Sequence, residues 1–544
     1  MNATITEDGL TVAFHLDARA GSGFGHFSRC LNLAYAFERR GIKTCFYLSR
    51  ETVAHLRMLG LLEGLCAEVI EEPTPTTASI LAFCRLARID VLVIDDYQFK
   101  IETEIVLRNK VFVVMIDDHL FDHYANVVLN HRPGLTLQET THVDGMRTVR
   151  LGGERYCLAR AKRREVSVQA SFPPKILLHA GGSDLYRPFL DFFCSFLCVA
   201  KELGSIFVDI LHANTEVLLP DELMRFSSGG KGLIKKVNFD VPLSEKLCDY
   251  SAVVGPAGTT TYETLIAGSL PLSFEVYDDG RDSRHAWTNL GHLFHLSFSE
   301  VQNPSENHKI VRLFLENMHK VAELLEQSPS KLDGLGPERA VEDIIKCFQG
   351  NTSSLDLANL DFPSTVNSYV KEGFGPCNST DALGFLESRN SERSRSSSTH
   401  PDHQIPWTSH LAWWMEPNIS RFKVFDESLG SIEGYFWIKK VTLDKAVYFT
   451  SGWFPSIHFQ QEGGLKLGLK IMKAMRHAID DLMATGLWIV TVRPENHFAR
   501  KANQRFGFRT VWLDPKVLEI LYPGSQEAEL VTMSQSLPLL PNTA

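Results

Sequence analysis

A chain of 544 residues exceeds what one hydrophobic core usually fills, so two to four domains are expected. Apolar residues make up 44% and charged residues 22%, the proportions of a globular protein, and a net charge of −10 without a Lys/Arg stripe argues against nucleic acid as a partner. The ten cysteines form no C-x-x-C pair and fit thiols of a reducing cytoplasm. The first eight residues lack a basic region and an apolar run, so no export signal is expected. No uncharged apolar run approaches the roughly 18 to 20 residues of a membrane span.

The first predicted element is an apolar strand over 11–17, followed by a glycine-rich turn over 18–25 and a helix. Phe27, Cys30, Leu31, Ala34 and Phe37 form the helical stripe, which ends at Arg39-Arg40-Gly41. Backbone amides at such a turn attract an anion, which places a phosphate beside His26 and an imidazole where it can take a proton. The same residues also suit a plain tight turn with His26 as a polar first-turn residue. Apolar strands follow at 42–48, 91–94, 111–116 and 127–129, and their alternation with helices predicts a parallel, doubly wound sheet. The pattern restarts at 175–180 and runs through Gly181-Gly182-Ser183-Asp184, strands at 206–212 and 252–255, a helix over 259–267 and a strand at 271–276. Two Rossmann-like halves in tandem leave a cleft suited to a ligand.

Residues 349–377, rich in Ser, Asn, Thr, Pro and Gly, read as a linker. The Arg/Ser run over 388–398 has the composition of a disordered segment. Strands are expected at 421–425, 434–440, 446–452 and 487–492, with a long amphipathic helix over 465–484. The fold class is therefore α/β, with Rossmann-like domains over 1–165 and 166–348, followed by an α+β domain over 378–544.

Gly258, Thr259, Thr260 and Glu263 open the 259–267 helix. Small hydroxylated residues at that position cap a helix and also suit a diphosphate, while Glu263, one turn in, can accept both hydroxyls of a ribose. Asp17, Tyr97 and Asp117 stand at strand ends, where they either cap loops or orient a water or a sugar. Arg29, one turn beyond His26, can pair with a carboxylate or a phosphate. No cluster has the spacing of a metal site, so no metal is expected.

Gly23-Phe24-Gly25-His26-Phe27-Ser28-Arg29 with Leu33-Ala34 resembles the G-x-G-H-x-x-R…L-A signature of the UDP-2,4-diacetamido-2,4,6-trideoxy-β-L-altropyranose hydrolases, GT-B-like enzymes of pseudaminic acid biosynthesis. Asp95-Asp96-Tyr97, Ile116-Asp117-Asp118, Asn130, the 151–156 stretch, the 181–184 turn and the 258–263 stretch fit in order. The resemblance covers roughly residues 11–345. It implies a cytoplasmic hydrolase that releases UDP from a UDP-sugar, with His26 as base, Asp17 and Tyr97 beside it, and Gly23, Gly25, Arg29, Asp117, Gly182, Ser183, Gly258, Thr259, Thr260 and Glu263 binding the substrate. Where that family has Asn-Gln near the sugar, this chain reads Asp279 to His285. A glycosyltransferase and a non-catalytic UDP-sugar-binding protein are the alternatives on the same fold.

Farther on, Val492 to Ala499 with Gly507-Phe508 resembles the V-x-x-x-N-x-x-A…G-F end of GNAT acetyltransferases. Arg389-Asn390 and His410 to Trp413 resemble elements of the amino-sugar N-acetyltransferases, which gives the Arg/Ser run a second reading as a substrate-covering loop. This resemblance implies acetyl-CoA bound by Gly463, Gly464, Lys466 and Asn496. Lys466 stands where a small residue is usual, and Asn503 where a tyrosine often protonates the leaving thiolate.

Overall fold

The structure, a computed structural model, describes every residue except 1–8, 20–24, 59, 64, 120, 143, 166–172, 182–185, 212–219, 228–233, 239–240, 279–282, 329–330, 351–372, 397, 399–401, 403, 427–429, 460–463, 482–484, 524–529 and 538–544. It divides into two compact units, residues 1–362 and 363–544, each taken by itself below. Most of the stretch read as a linker lies outside the described residues.

The first unit holds two sheets. Its N-terminal sheet contains β1 (Thr11–Leu16), β2 (Lys43–Ser49), β3 (Glu68–Glu72), β4 (Val91–Asp95), β5 (Phe112–Ile116), β6 (Val127–Asn130), β7 (Gln138–Thr141) and β8 (Arg147–Gly152). Their order is β3-β2-β1-β4-β5-β6-β8-β7, parallel except for the β7–β8 pair. Helices cover both faces, so the central strands are mostly apolar and β4 is buried along its whole length. Val12, Phe14 and Leu16 pack on one face with helix α1 (Gly25–Glu38), while Ala13, Leu92 and Ile94 pack on the other. The fully exposed β7 has no apolar alternation to announce it, and β3 is an edge strand with three glutamates in five residues.

The second sheet contains β9 (Lys175–Leu178), β10 (Phe207–Leu211), β11 (Ile234–Val237), β12 (Ala252–Pro256), β13 (Leu270–Phe274) and β14 (His295–Leu296), all parallel in the order β11-β10-β9-β12-β13-β14. Helix α2 (Thr259–Ala267) links β12 to β13. A later helix, Gly336–Phe348, returns to the first lobe and buries Ala340, Val341, Ile344 and Ile345 in its core. Tyr156 Oη donates to Asp343 there at 2.8 Å. In both sheets the strand order reverses beside the first strand, the place where open α/β sheets form a ligand crevice.

The second unit is built on a seven-stranded sheet of β15 (Phe374–Pro376), β16 (Ile419–Phe425), β17 (Ile432–Leu443), β18 (Ala446–Pro455), β19 (Gly486–Val492), β20 (Arg509–Thr510) and β21 (Val531–Leu537), in the order β15-β16-β17-β18-β19-β21-β20. Every pair is antiparallel except β18–β19, which helix α3 (Gly464–Asp481) connects in parallel. Those two strands pair over 448–450 and 487–489. The fold class is thus the expected one: two Rossmann-like domains and an α+β domain.

One expectation fails. The Arg/Ser run, read as disordered or as a loop, is helical over Ala382–Asn390 and Glu392–Ser396. Local bonds account for it: Ser391 Oγ accepts the Ser394 N–H at 3.3 Å, and Arg395 Nε donates to the Asn390 carbonyl at 2.9 Å. Composition alone does not reveal such caps.

Candidate active site

His26 is the second residue of α1, which starts where the chain has left β1. Its Nδ1 lies 2.7 Å from Oδ1 of Asp95, the last residue of β4 and fully buried. A buried carboxylate at that distance assigns the proton to Nδ1 and leaves Nε2 as the basic nitrogen. Nε2 has no hydrogen-bond partner among the described residues.

Arg29, one turn farther along α1 and itself buried, grips the same carboxylate with Nε and Nη2, both at 2.6 Å. Its Nη1 pairs with Asp118, and its Nη2 stands 3.2 Å from Tyr97 Oη. Tyr97 Oη donates in turn to Asp118 at 3.0 Å, and the Tyr97 ring meets His26 edge to face at 4.8 Å. Burial would raise the Asp95 carboxyl, but Arg29 and His26 outweigh it and hold the group below the usual carboxylate range. Asp118 is likewise held low by Arg29 and His131 against its burial. Burial pushes the Tyr97 hydroxyl up, so it stays a donor. One buried cation thus neutralises two carboxylates while a third partner, His26, takes its orientation from the same array.

The array joins His26, Arg29 and Tyr97 but uses the remaining first-lobe candidates differently. Asp17 is clamped by Arg19, whose Nε and Nη2 lie 2.8 and 2.7 Å from its two oxygens. Asp117 turns to its own loop, accepting the backbone N–H groups of His119 at 2.7 Å and Phe121 at 3.1 Å. Its neighbour Asp118 is the residue that reaches Arg29. Asp95, Asp118 and His131, whose Nε2 lies 3.9 Å from Asp118, carried no role in the sequence reading. A carboxylate at or just beyond the end of an apolar strand was the available signal for Asp95 and Asp118.

From the second lobe, α2 points its first turn at α1. A Cβ added at Gly25 would come within 3.1 Å of Thr259 Oγ1, so that glycine permits the close approach. Gly258 caps α2 through its backbone, accepting the N–H of Thr261 at 3.0 Å. The amides of Thr259 and Thr260 precede the first intrahelical bonds and suit an anion. Glu263 is buried, and Ser28 Oγ lies 3.5 Å from its Oε1. Burial pushes the Glu263 carboxyl up to about 8, with Ser28 pulling weakly the other way. In the free protein near pH 7 it is therefore largely neutral, able both to donate and to accept. Gly23, Gly182 and Ser183 lie outside the described residues, as do 279–282 of the stretch at the sugar end. Arg284 of that stretch is committed to Glu300 at 2.7 Å.

In the second unit, Gly464 opens α3, and Lys466 is exposed in its first turn. Gly463 lies outside the described residues. Asn496 caps α4 (His497–Arg505), its side chain accepting the Ala499 N–H at 3.0 Å. Asn503 is buried, and its carbonyl accepts the N–H groups of Phe506 and Phe508 at 3.0 and 3.1 Å.

No protein-family model and no curated protein sequence matches the chain. Among solved structures, it is similar to MurG of Acinetobacter baumannii at 14% identity and a TM-score of 0.44, over 62% of this chain and 99% of that one. It is similar to S. aureus MnaA, solved with UDP, at 11% identity and a TM-score of 0.42, over 63% of this chain and 98% of that one. A candidate phosphinothricin N-acetyltransferase is similar at 12% identity and a TM-score of 0.25, over 30% of this chain and 97% of its own. No helix among the described residues is long and apolar enough to cross a membrane.

Proposed function

We propose that the first unit hydrolyses a UDP-sugar at its anomeric carbon, releasing UDP from a UDP-linked 2,4-diacetamido-2,4,6-trideoxy sugar of pseudaminic acid (nonulosonate) biosynthesis. The observation that carries this reading is the His26–Asp95 pair, with Nδ1 held at 2.7 Å by a buried carboxylate and Nε2 left without a partner. An imidazole so oriented takes a proton from water as the oxygen attacks the anomeric carbon. The new C–O bond forms as the bond to the UDP oxygen breaks through an oxocarbenium-like state. UDP leaves without needing a protonated carboxyl acid, and the amides opening α2 stabilise its departing charge. Asp95 stabilises the imidazolium that forms, and Arg29 keeps Asp95 ionised and in place. A neutral Glu263 hydrogen-bonds the ribose without adding like charge near the diphosphate.

The second unit, in the same reading, is an amino-sugar N-acetyltransferase that uses acetyl-CoA. Beyond Thr450 and Ile489, β18 and β19 no longer pair with each other, and their inner edges are offered to the amides of an extended pantetheine arm. Lys466 beside the start of α3 adds positive charge for a pyrophosphate. Acetyl-CoA supplies the acetyl group, and this chain's residues bind and orient it. A pathway that acetylates a 4-amino UDP-sugar and then removes UDP would thus have both steps on one chain.

The decisive experiment is turnover of UDP-linked diacetamido sugars by the purified protein, followed by NMR. Free sugar and UDP without any acceptor support hydrolysis. UDP release only when an acceptor is supplied would make the protein a glycosyltransferase, and binding without turnover would remove catalysis altogether.

A further inference from the structure

Tyr97 and Phe121 are large rings left in the open, 42% and 53% exposed, beyond the ends of β4 and β5 where open α/β sheets take their ligands. They belong to one row. The His26 ring meets Tyr97 edge to face at 4.8 Å, Tyr97 meets His119 edge to face at 4.4 Å, and His119 stacks on Phe121 at 5.3 Å. The row therefore runs outward from the candidate base along the first lobe. Hydrolysis by the His26–Asp95 pair leaves His119 and Phe121 without a part.

The chain that carries the outer two rings is tied from both ends. Asp117 accepts the N–H groups of His119 and Phe121, and Arg150 Nη2 donates to the Phe121 carbonyl at 3.0 Å. Farther on, buried Glu104 of the helix Ile101–Arg108 accepts the Tyr124 N–H at 2.7 Å and lies 2.8 Å from Nδ1 of His123. His123 Nε2 stands 3.6 Å from Asp117, which joins the two anchors. Burial opposes a charge on His123, but Asp117 and Glu104 outweigh it and push its pKa up to about 9, so a cation closes the clamp near neutral pH. An apolar ring exposed on a backbone so fixed gains from being covered and loses little freedom when a ligand covers it.

We propose that Tyr97, His119 and Phe121 form a platform for the sugar ring of the nucleotide sugar, with Phe121 as its specificity-determining member. Position and chemistry together name this occupant. Water activated by His26 attacks the anomeric carbon, so the sugar that carries this carbon lies against the start of the row, with its diphosphate toward α2. The C–H bonds of a pyranose carry slight positive charge, and the faces of aromatic rings carry slight negative charge. A trideoxy sugar with two acetamido groups adds methyl groups, which are better placed on Phe121 than in water. The inference rests on the proposed substrate for its ligand, whereas the row and its clamp rest on the ring and hydrogen-bond geometry. Phe121 touches no reacting atom in this role.

The test is Phe121→Ala in the full-length protein, which removes the ring and keeps the backbone N–H that Asp117 holds. It is made both alone and together with His26→Ala, so that bound nucleotide sugar is not consumed. Calorimetry on the two His26→Ala proteins should show the UDP-linked 2,4-diacetamido-2,4,6-trideoxy sugar binding about five- to tenfold more weakly without Phe121, with UDP binding unchanged. Phe121→Tyr should keep the affinity. With His26 present, the KM of Phe121→Ala should rise by the same factor at nearly unchanged kcat. Unchanged affinity for the nucleotide sugar, or none to begin with, overturns the platform. An equal loss for UDP overturns it as well, by placing Phe121 at the nucleotide, and so does a kcat loss at unchanged KM. If the nucleotide sugar loses affinity as expected but the wild-type protein never releases UDP from it, hydrolysis fails and the platform stands.

Discussion

In the first unit the candidate site is made of side chains that hold one another. His26, Arg29, Asp95, Tyr97 and Asp118 come from two strand ends and one helix, and most of their polar atoms are spent on each other. In the second unit the candidate cleft is made of backbone: two strands that stop pairing after three residues, and the start of a helix. Its one candidate charge, Lys466, is exposed. A side-chain array fixes the protonation and direction of a chemical group, whereas a split sheet fixes the path of an extended ligand. The first arrangement suits acid–base work on a small reacting centre, and the second suits holding a long cosubstrate.

That contrast predicts where single substitutions hurt. His26→Ala should slow UDP release on the order of a hundredfold or more while leaving UDP affinity nearly intact, since it removes a general base and no diphosphate contact. Stopped-assay rates set beside calorimetric UDP binding check this, and wild-type-like turnover would take His26 out of the mechanism.

Glu263 tests the contrast through stability. Its carboxyl, ordinarily near 4.5, is pushed up to about 8 in the folded protein, so the folded state holds a proton that the unfolded state has released. Stability from this group is therefore present below the unfolded value and is lost as pH rises from about 4.5 through 8. Melting temperatures across that window should fall for the wild type by more than for Glu263→Gln. Parallel curves for the two proteins would mean that Glu263 is ionised at neutral pH.

The smallest effect is expected in the second unit. Lys466→Ala should weaken acetyl-CoA binding only about two- to threefold, because an exposed charge contributes little across solvent. The loss should shrink further in high salt. A loss of a hundredfold would mean that a side chain, not the backbone cleft, dominates coenzyme binding there.

The sequence made one half of the first site legible. His26 and Arg29 share one helix face three residues apart, and the glycine-rich turn before them marks where β1 ends. Asp95 and Asp118 stood in view as carboxylates closing apolar strands, but nothing local told that they meet. They meet because β4 lies between β1 and β5 in the sheet, a matter of strand order rather than of neighbouring residues. The choice between Asp117 and Asp118 was equally hidden, since it depends on which carboxylate the 119–121 amides capture. In the second unit the strands and the long helix followed from periodicity, with α3 found at Gly464–Asp481 against the expected 465–484. The end of pairing between β18 and β19 did not, because both continue as strands beyond it. The short helix over Glu392–Ser396 escaped for another reason: serine caps decide it, and they look like low complexity in one dimension.

The measurement closest to the central claim is proton NMR of the full-length protein mixed with a UDP-linked 2,4-diacetamido-2,4,6-trideoxy sugar in buffer containing no acceptor. Anomeric signals of the nucleotide sugar should decay while those of the free sugar and UDP grow in equal amounts, and His26→Ala should stop the conversion. A spectrum that stays unchanged with wild-type protein, while the nucleotide sugar is demonstrably bound, would contradict hydrolysis by the His26–Asp95 pair.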